Sequence, residues 1–323
     1  MAAELSRDDV LAAREAIAGR LHRTPIFSSA TLSERVGAPV HLKAELFQRT
    51  GSFKPRGVLT KLASLSAEEK GRGVIGISAG NHAQALAYCA ALEGVDAQLV
   101  MWEGASPQKI EATRAYGATV DLEADGPARA FDRLHELMDE TGRALVHPFD
   151  DPMTIAGQGT VGLEIVEDVP ETTVVVVPVG GGGLISGIVL AAEGRRVVAA
   201  EPELSDALHQ GLEAGKSVPV EPKSIADGLS APFAGEHPVR ICGARGVESV
   251  LVTEDEIAEG MRFLYGRAKL ACEPAAAVGV AALLAGKVAV QPGETVVAVV
   301  SGGNVAAQIA SAILGSNEDR HPP

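Results

Sequence analysis

The sequence predicts an α/β protein whose sheets are mostly parallel and covered by helices on both faces. Four segments repeat one pattern, in which a short β-branched run is followed by a turn of small residues and then by an alanine-rich amphipathic stretch. This strand, turn and helix alternation is typical of parallel sheets. The hydrophobic fraction of 46% and the 36 glycines suit such closely packed layers.

The four repeats supply the predicted elements of the two sheets. Each repeat is given as its strand followed by its helix. The predicted ranges are 73–78 with 82–94, 97–102 with 108–117, 172–179 with 184–194, and 294–301 with 305–314.

The chain length of 323 residues indicates about two domains. No low-complexity or Pro/Ser-rich linker separates them, so we expect two intertwined three-layer domains. The predicted large domain comprises residues 1–68 and 147–323, and the predicted small domain is inserted between them at residues 73–142.

Composition excludes several classes of partner. A formal net charge of -14 opposes binding to nucleic acid or to an anionic membrane, because both depend on basic residues. No apolar run has the roughly 18 to 20 residues of a membrane span, and the first segment lacks a signal-peptide core, so a cytoplasmic protein is expected. Cys89, Cys242 and Cys272 are widely spaced and predict buried small hydrophobes rather than disulfides or a zinc site.

The glycines Gly180 to Gly183 form the most informative loop. They lie between a valine run and a predicted helix, where backbone N–H groups and the helix N-terminus together favour a bound anion such as phosphate. No GK[ST] follows the loop, and the third glycine of G-x-G-x-x-G is missing. The alternative interpretation is that the glycines only allow tight packing of strand against helix.

Lys54 directly precedes Pro55 at the predicted start of a helix. A helix N-terminus disfavours an ammonium group, so the pKa of this lysine should be lowered and its free amine more accessible. A solvated lysine at a helix start is the alternative.

Two further turns carry polar groups at strand ends. The backbone amides of Ser78 to His82 could hold a carboxylate, and Asn81 could donate to a phenolic oxygen. Ser301 offers a hydroxyl at the carboxyl end of the last strand, where open α/β sheets place ligands. A helix cap and a plain tight turn are the respective alternatives.

Together these motifs resemble the fold-type II enzymes that depend on pyridoxal 5'-phosphate (PLP), the tryptophan synthase β-like class. Within that class the chain is most similar to the threonine/serine dehydratase and serine racemase group. The resemblance covers nearly the whole chain. It also includes the segments HRTPIFSSATLSE, ELFQRTGSFKPRG, HPFDDPMTIAGQGT, VTEDEIAEG and CEPAAAVGVAALL.

The resemblance implies a role for each motif. Lys54 would hold PLP as a Schiff base and act as the general base, while Phe53 flanks the ring and Ser301 contacts the pyridine nitrogen. The other implied cofactor ligands are Asn81 at the phenolic oxygen, and Gly180, Gly181, Gly182, Gly183 and Leu184 at the phosphate. The implied binding residues for the substrate carboxylate are Ser78, Ala79, Gly80, Asn81 and His82.

The implied reaction is β-elimination of water from a β-hydroxy amino acid, which gives a 2-oxo acid and ammonia. A neutral Ser301 cannot keep the pyridine nitrogen protonated, and this favours expulsion of a leaving group as the α-proton departs. Hydroxyaspartate ammonia-lyase and serine racemase are the alternatives within the family, although Ala79 replaces the serine of the racemases. A nucleotide-binding protein or oxidoreductase would leave Lys54 unexplained.

The family also implies a homodimer and, in some members, a divalent cation. Glu201 matches the first ligand of that cation, but Ala207 stands where the last carboxylate belongs. Because hard cations require several oxygen ligands, the sequence argues against a strong Mg²⁺ site, and a monovalent ion and no metal are equal alternatives.

Overall fold

The computed structural model of the protein describes residues 5–315, which form ten strands and fourteen α-helices. The strands are β1 (Ile26–Ser28), β2 (Val40–Ala44), β3 (Val74–Ile77), β4 (Ala97–Trp102), β5 (Thr119–Ala124), β6 (Ala144–Leu145), β7 (Val174–Pro178), β8 (Arg196–Pro202), β9 (Glu248–Val252) and β10 (Val296–Val300). The helices are α1 (Arg7–Ala16), α2 (Ala30–Val36), α3 (Lys54–Ser64), α4 (Ala67–Arg72), α5 (Asn81–Glu93), α6 (Pro107–Ala115), α7 (Pro127–Thr141), α8 (Pro152–Asp168), α9 (Gly183–Ala191), α10 (Ala207–Ala214), α11 (Glu236–Ala244), α12 (Glu254–Phe263), α13 (Pro274–Leu284) and α14 (Ala307–Gly315).

The strands form two sheets. The six-stranded sheet has the order β1-β2-β10-β7-β8-β9, and only the β1–β2 pair is antiparallel. The four-stranded sheet has the order β5-β4-β3-β6 and is entirely parallel. The predicted α/β class with mostly parallel sheets is therefore confirmed.

Both faces of the six-stranded sheet are covered, as the central valine run demands. Val174 and Val176 of β7 belong to the hydrophobic cluster that contains helices α12 and α13. Val175 and Val177 point the other way, into the cluster formed by α8, α9 and part of α11. Because side chains alternate along a strand, a strand buried on both faces is apolar throughout, and all residues of β7 are buried.

Helix α3 packs between the two sheets. Its residues Val58, Leu59 and Leu62 lie in the core of the four-stranded sheet. On another side, a Cβ atom built on Gly57 would lie 2.7 Å from the carbonyl oxygen of Thr154 in α8, so α3 and α8 approach closely. The helix that begins at Lys54 is thus held from both directions.

The predicted domain boundaries stay a prediction, and residues 1–4 and 316–323 of those ranges lie outside the described part. Strand β6, at residues 144–145, follows the predicted small domain and pairs with β3 in the four-stranded sheet.

The predicted repeats appear as elements with small shifts at their ends. For example, the fourth repeat gives β10 and α14, and α14 starts at Ala307 rather than at 305.

The three cysteines are buried and unpaired. Burial raises the pKa of the Cys242 and Cys272 thiols to about 12. No helix among residues 5–315 has both the length and the apolar character of a membrane span.

A buried ion network anchors α3 beneath its first turn. The Arg56 guanidinium donates to Glu45 and Glu164 over 2.7 to 2.9 Å, and Lys43 donates to Glu164 at 2.5 Å. Arg56, Lys43 and Glu45 are at most 2% exposed. Two cations thus balance two carboxylates, and the network ties β2, the 3₁₀ turn Glu45–Phe47, α3 and α8 together.

We expect Arg56→Met to lower the free energy of unfolding by about 3 to 5 kcal/mol, because it leaves buried carboxylates uncompensated. Urea denaturation followed by circular dichroism measures this loss. The control is Arg14→Met, which removes a half-exposed pair with Glu167 and should change stability by less than about 1 kcal/mol. Equal effects of the two substitutions would contradict the structural role of the network.

Candidate active site

The candidate site lies where the carboxyl ends of three neighbouring strands meet. Strands β2, β10 and β7 are adjacent and parallel, so the segments that follow them emerge at one edge of the sheet. These segments are residues 45–53, 301–304 and 179–182. The loop after β3, residues 78–80, approaches them from the four-stranded sheet. Open α/β sheets bind ligands at such edges.

The lysine-bearing segment is fixed to the end of β10 by backbone hydrogen bonds. Ser52 and Gly302 form an isolated antiparallel bridge. The Phe53 N–H donates to the Ser301 carbonyl at 3.2 Å, and the Gly303 N–H donates to the Gly51 carbonyl at 2.9 Å. Lys54 is therefore held at the first position of α3, with Pro55 in the first turn as predicted.

The amine of Lys54 is held in the cleft and is partly desolvated. Its Nζ donates to the Pro148 carbonyl oxygen at 2.9 Å and lies 5.1 Å from the centre of the Phe53 ring. Burial lowers the pKa of Lys54 to about 8, although the nearby carboxyl of Glu273 opposes this shift. In about a tenth of the molecules the Lys54 amine is then uncharged at neutral pH. This free amine is nucleophilic and basic.

The glycine loop satisfies both interpretations of its sequence. A Cβ atom on Gly181 would lie 2.3 Å from the Phe149 ring, and Gly182 has a φ of 89°, so close packing alone demands glycine. The N–H groups of Gly180, Gly181 and Gly182 donate to no acceptor within the described chain. The loop is buried and leads into the first turn of α9. Buried N–H groups require partners, so the loop is suited to hold an anion.

Asn81 links the loop after β3 to the loop after β10. Its Nδ2 donates to Oε1 of Glu273 at 2.7 Å, and its Oδ1 accepts from Asn304 Nδ2 at 2.8 Å. Asn304 also donates to the Thr50 carbonyl at 2.7 Å. The orientation of the Asn81 amide is thereby fixed, with one N–H of Nδ2 left for another acceptor.

Glu273 is a site residue to which the sequence analysis assigned no role, although it stands in the CEPAAAV segment. Glu273 is 3% exposed, and its Oε1 lies 2.5 Å from the position of a Cβ atom on Gly302, so a side chain at position 302 would displace the carboxyl. Burial, followed by the charge of Asp227, raises the pKa of Glu273 to about 7, while Asn81 and the nearby lysines lower it. Its distance of 192 residues from Asn81 hid the contact from sequence reasoning.

An ion pair crosses the cleft near this acid. Lys109 at the start of α6 is paired with Asp227 of the 3₁₀ turn Asp227–Leu229. The Lys109 Nζ is also 3.9 Å from the position of a Cβ atom on Gly80. A positive charge therefore lies beside the loop that was predicted to receive a carboxylate.

The structure brings most of the predicted residues into one cleft. Phe53, Lys54 and Ser301 are joined through the backbone, and Asn81 reaches them through Asn304. The Pro148–Phe149 segment connects Lys54 with the glycine loop, and Leu184 is buried in the first turn of α9.

The side chain of His82 is buried in the core. Its Nε2 lies 2.8 Å from the Val146 carbonyl oxygen, and the residue is 2% exposed. Burial lowers the pKa of His82 to about 3, so the ring is neutral. Ala79 presents only a methyl group, and Gly80 N–H is satisfied by Ser78 Oγ at 3.0 Å.

The Glu201 carboxylate caps a helix. It accepts from the backbone N–H groups of Leu208 and His209 at 2.8 and 2.9 Å and from Ser249 Oγ at 2.9 Å. Burial nevertheless raises the pKa of Glu201 to about 8. Asp206 accepts instead from Gln210 at 2.8 Å. In the described part of the chain, no three His, Cys, Asp or Glu side chains cluster as ligands for a metal ion.

Comparisons with known proteins agree over almost the whole chain. A family model described as pyridoxal-phosphate dependent enzyme matches residues 17–302. The L-threonine ammonia-lyase of Thermotoga maritima is 42% identical over 306 residues, which cover 93% of this chain and 76% of that protein. The catabolic L-threonine dehydratase of Escherichia coli is 39% identical over 315 residues, covering 95% of each. The structure of maize serine racemase aligns with a TM-score of 0.91 and 34% identity over 99% of both chains.

We expect ionisation of Glu273 to lower the unfolding free energy as pH rises from about 4.5 to about 7, against the opposite contribution of the buried His82. The folded state keeps the Glu273 proton in this interval while the unfolded chain releases it, so the folded state loses relative stability, by at most about 3 kcal/mol. Glu273→Gln keeps an acceptor for Asn81 but cannot ionise, so its unfolding free energy should rise relative to that of wild type as the pH increases.

Urea denaturation at pH 4.5, 5.5, 6.5 and 7.5 measures this difference. Glu201 contributes a slope of the same sign to both proteins, and the comparison with wild type cancels it. Glu111→Gln, at an exposed position of α6, serves as the control with unchanged slope. Parallel pH profiles for wild type and Glu273→Gln would disprove the assignment.

Proposed function

The chain belongs to the family of pyridoxal-phosphate-dependent enzymes, and we propose that it is a threonine/serine dehydratase. Such an ammonia-lyase eliminates water from a β-hydroxy amino acid and yields a 2-oxo acid and ammonia. The observation that carries the proposal is the partly desolvated Lys54 amine, held in one cleft with a buried glycine loop whose N–H groups lack acceptors. The threonine ammonia-lyases at about 40% identity support it.

The residues of the cleft fit PLP. When bound, the cofactor supplies an aldehyde that condenses with amino groups and a ring that withdraws electrons from Cα. Lys54 would hold the aldehyde, and the backbone of Gly180 to Gly183 with Leu184, including the free N–H groups of Gly180, Gly181 and Gly182, would hold the phosphate. The remaining N–H of Asn81 would donate to the phenolic oxygen. The Ser301 hydroxyl would contact the pyridine nitrogen, and Phe53 would flank the ring.

Lys54 also supplies the proton chemistry. With a pKa of about 8, its amine is uncharged often enough to accept the Cα proton and still basic enough to hold it. The Pro148 carbonyl at 2.9 Å accepts an N–H of this amine and so limits its directions. The desolvation that lowers the pKa therefore makes Lys54 a competent general base near neutral pH.

The substrate carboxylate would be bound at residues Ser78 to His82. This loop precedes the N-terminus of α5, whose partial positive charge favours an anion. Lys109, close to Gly80, places an ammonium group beside the same loop. Lys109 is itself paired with Asp227, so an entering carboxylate would compete with Asp227 for this ammonium group.

The hydroxyl of Ser301 favours elimination over chemistry that needs a long-lived carbanion. A neutral hydroxyl cannot stabilise a protonated pyridine nitrogen as a carboxylate would, and the ring is then a weaker electron acceptor. Glu273 adds little negative charge below its pKa of about 7. Departure of the β-hydroxyl as the α-proton leaves avoids the need for a strong acceptor.

Serine racemase and hydroxyaspartate ammonia-lyase remain as alternatives within the family. Racemisation needs a second acid on the opposite face of the substrate, and the Ala79 methyl group cannot supply a proton. A second carboxylate on the substrate would be attracted by Lys109. Release of 2-oxo acid from L-threonine, L-serine and threo-3-hydroxyaspartate, measured together with formation of D-serine, distinguishes the three. The homodimer expected from the family and the cytoplasmic location expected from the sequence stay predictions.

We expect Lys54→Ala to lose the visible imine absorption band and to reduce oxo-acid release by at least about 10³-fold, because it removes both the covalent anchor and the base. Absorption spectra and coupled assays with L-threonine and L-serine measure the two effects. Lys70→Ala, in α4, is the matched control and should retain both properties.

Borohydride reduction and peptide mass analysis locate the anchor directly. The proposal requires one pyridoxyl adduct, on the peptide that contains Lys54, in wild type and in the Lys70→Ala control. Appreciable turnover by Lys54→Ala, or an adduct on another lysine, would disprove it.

A further inference from the structure

Gln158 is a buried amide whose hydrogen-bonding capacity is unused. It lies in α8 and is 1% exposed, and both Oε1 and Nε2 lack a partner among the described residues. An unpaired buried amide is costly, and native proteins almost always satisfy such groups. The amide is therefore placed for a partner that belongs to the working protein.

The position of Gln158 identifies the region in which this partner lies. Its Oε1 is 2.6 Å from the position of a Cβ atom on Gly183, the first residue of α9. Its Cγ is 3.1 Å from the corresponding position on Gly57, one helical turn after Lys54. The amide thus sits between the base of the lysine helix and the glycine loop, and a half-turn of its last bond would present Nε2 to the loop.

The neighbouring backbone has the same unmet need. The N–H groups of Gly180, Gly181 and Gly182 find no acceptor in the described chain, and the Phe149 ring covers Gly181 on the other side. The N–H groups of the loop and the Gln158 amide therefore lie near each other in the buried interior, without partners among the described residues. A dianionic phosphate has enough acceptor oxygens for all of them, and a neutral amide can bind it without placing another charge in the core.

We propose that Gln158 is a side-chain ligand of the cofactor phosphate, in addition to the backbone of the glycine loop. This role rests on the proposed function, because it presupposes PLP as the bound group. It explains why a polar residue occupies a position of α8 that is surrounded by Gly57 and Gly183, where an apolar side chain would avoid the cost of burial.

Titration of the apoenzyme with PLP and with pyridoxal tests the role, because pyridoxal carries the same aldehyde without the phosphate. The variants are Gln158→Leu, which removes both amide groups at similar volume, and Gln158→Glu, which places a carboxylate there. We expect the Kd for PLP to rise about tenfold in Gln158→Leu and about 100-fold in Gln158→Glu, with the Kd for pyridoxal unchanged within about twofold.

Urea denaturation of the apoenzymes excludes a mere folding defect. Gln158→Leu should be as stable as wild type or more stable, because it removes two unpaired polar atoms from the core. Gln210→Leu, an amide of α10 outside the cleft, is the matched control and should bind PLP as wild type does.

Equal loss of affinity for PLP and pyridoxal, or no loss for PLP, would overturn the role of Gln158. Failure of the proposed function gives a different result, namely a wild-type apoenzyme that forms no imine band with PLP.

Discussion

The bridge between Ser52 and Gly302 is the contact on which the arrangement of the site depends. It ties the segment that carries Lys54 to the carboxyl end of β10, so that α3 begins beside Ser301. The buried network of Arg56 holds the same helix from below. Gly302 also leaves room for Glu273. The pair of Ser52 and Gly302 therefore positions the Lys54 amine, the Ser301 hydroxyl and the Glu273 carboxyl.

Desolvation governs the electrostatics of this cleft. Burial disfavours whichever form is charged, so it lowers the pKa of Lys54 and His82 and raises that of Glu273. The pKa values of Lys54 and Glu273 thereby lie within about one pH unit of each other, near neutral pH. Both can gain or lose a proton at little cost, whereas His82 is locked in its neutral form.

Much of the fold could be predicted, because local sequence patterns determine its strands and helices. The alternating strands and helices, the helix start at Lys54 and the turn before α5 follow from periodicity and from residues such as Pro55. Contacts between distant segments could not be derived this way. Nothing local to Glu273 indicates that it meets Asn81, and nothing local to Gln158 reveals that its amide is unpaired.

The glycine loop shows why two interpretations of one motif need not exclude each other. Gly181 is required because the Phe149 ring lies against it, and the loop still leaves its N–H groups without acceptors.

The position of β10 has a separate consequence, which concerns biosynthesis. This strand lies between β2 and β7 although both precede it in the sequence, and the loop after it contacts the Thr50 carbonyl through Asn304, 254 residues away. The nascent chain therefore exposes the unpaired edges of β2 and β7 until β10 has left the ribosome, and such non-local pairing slows folding and favours aggregation of the unpaired chain.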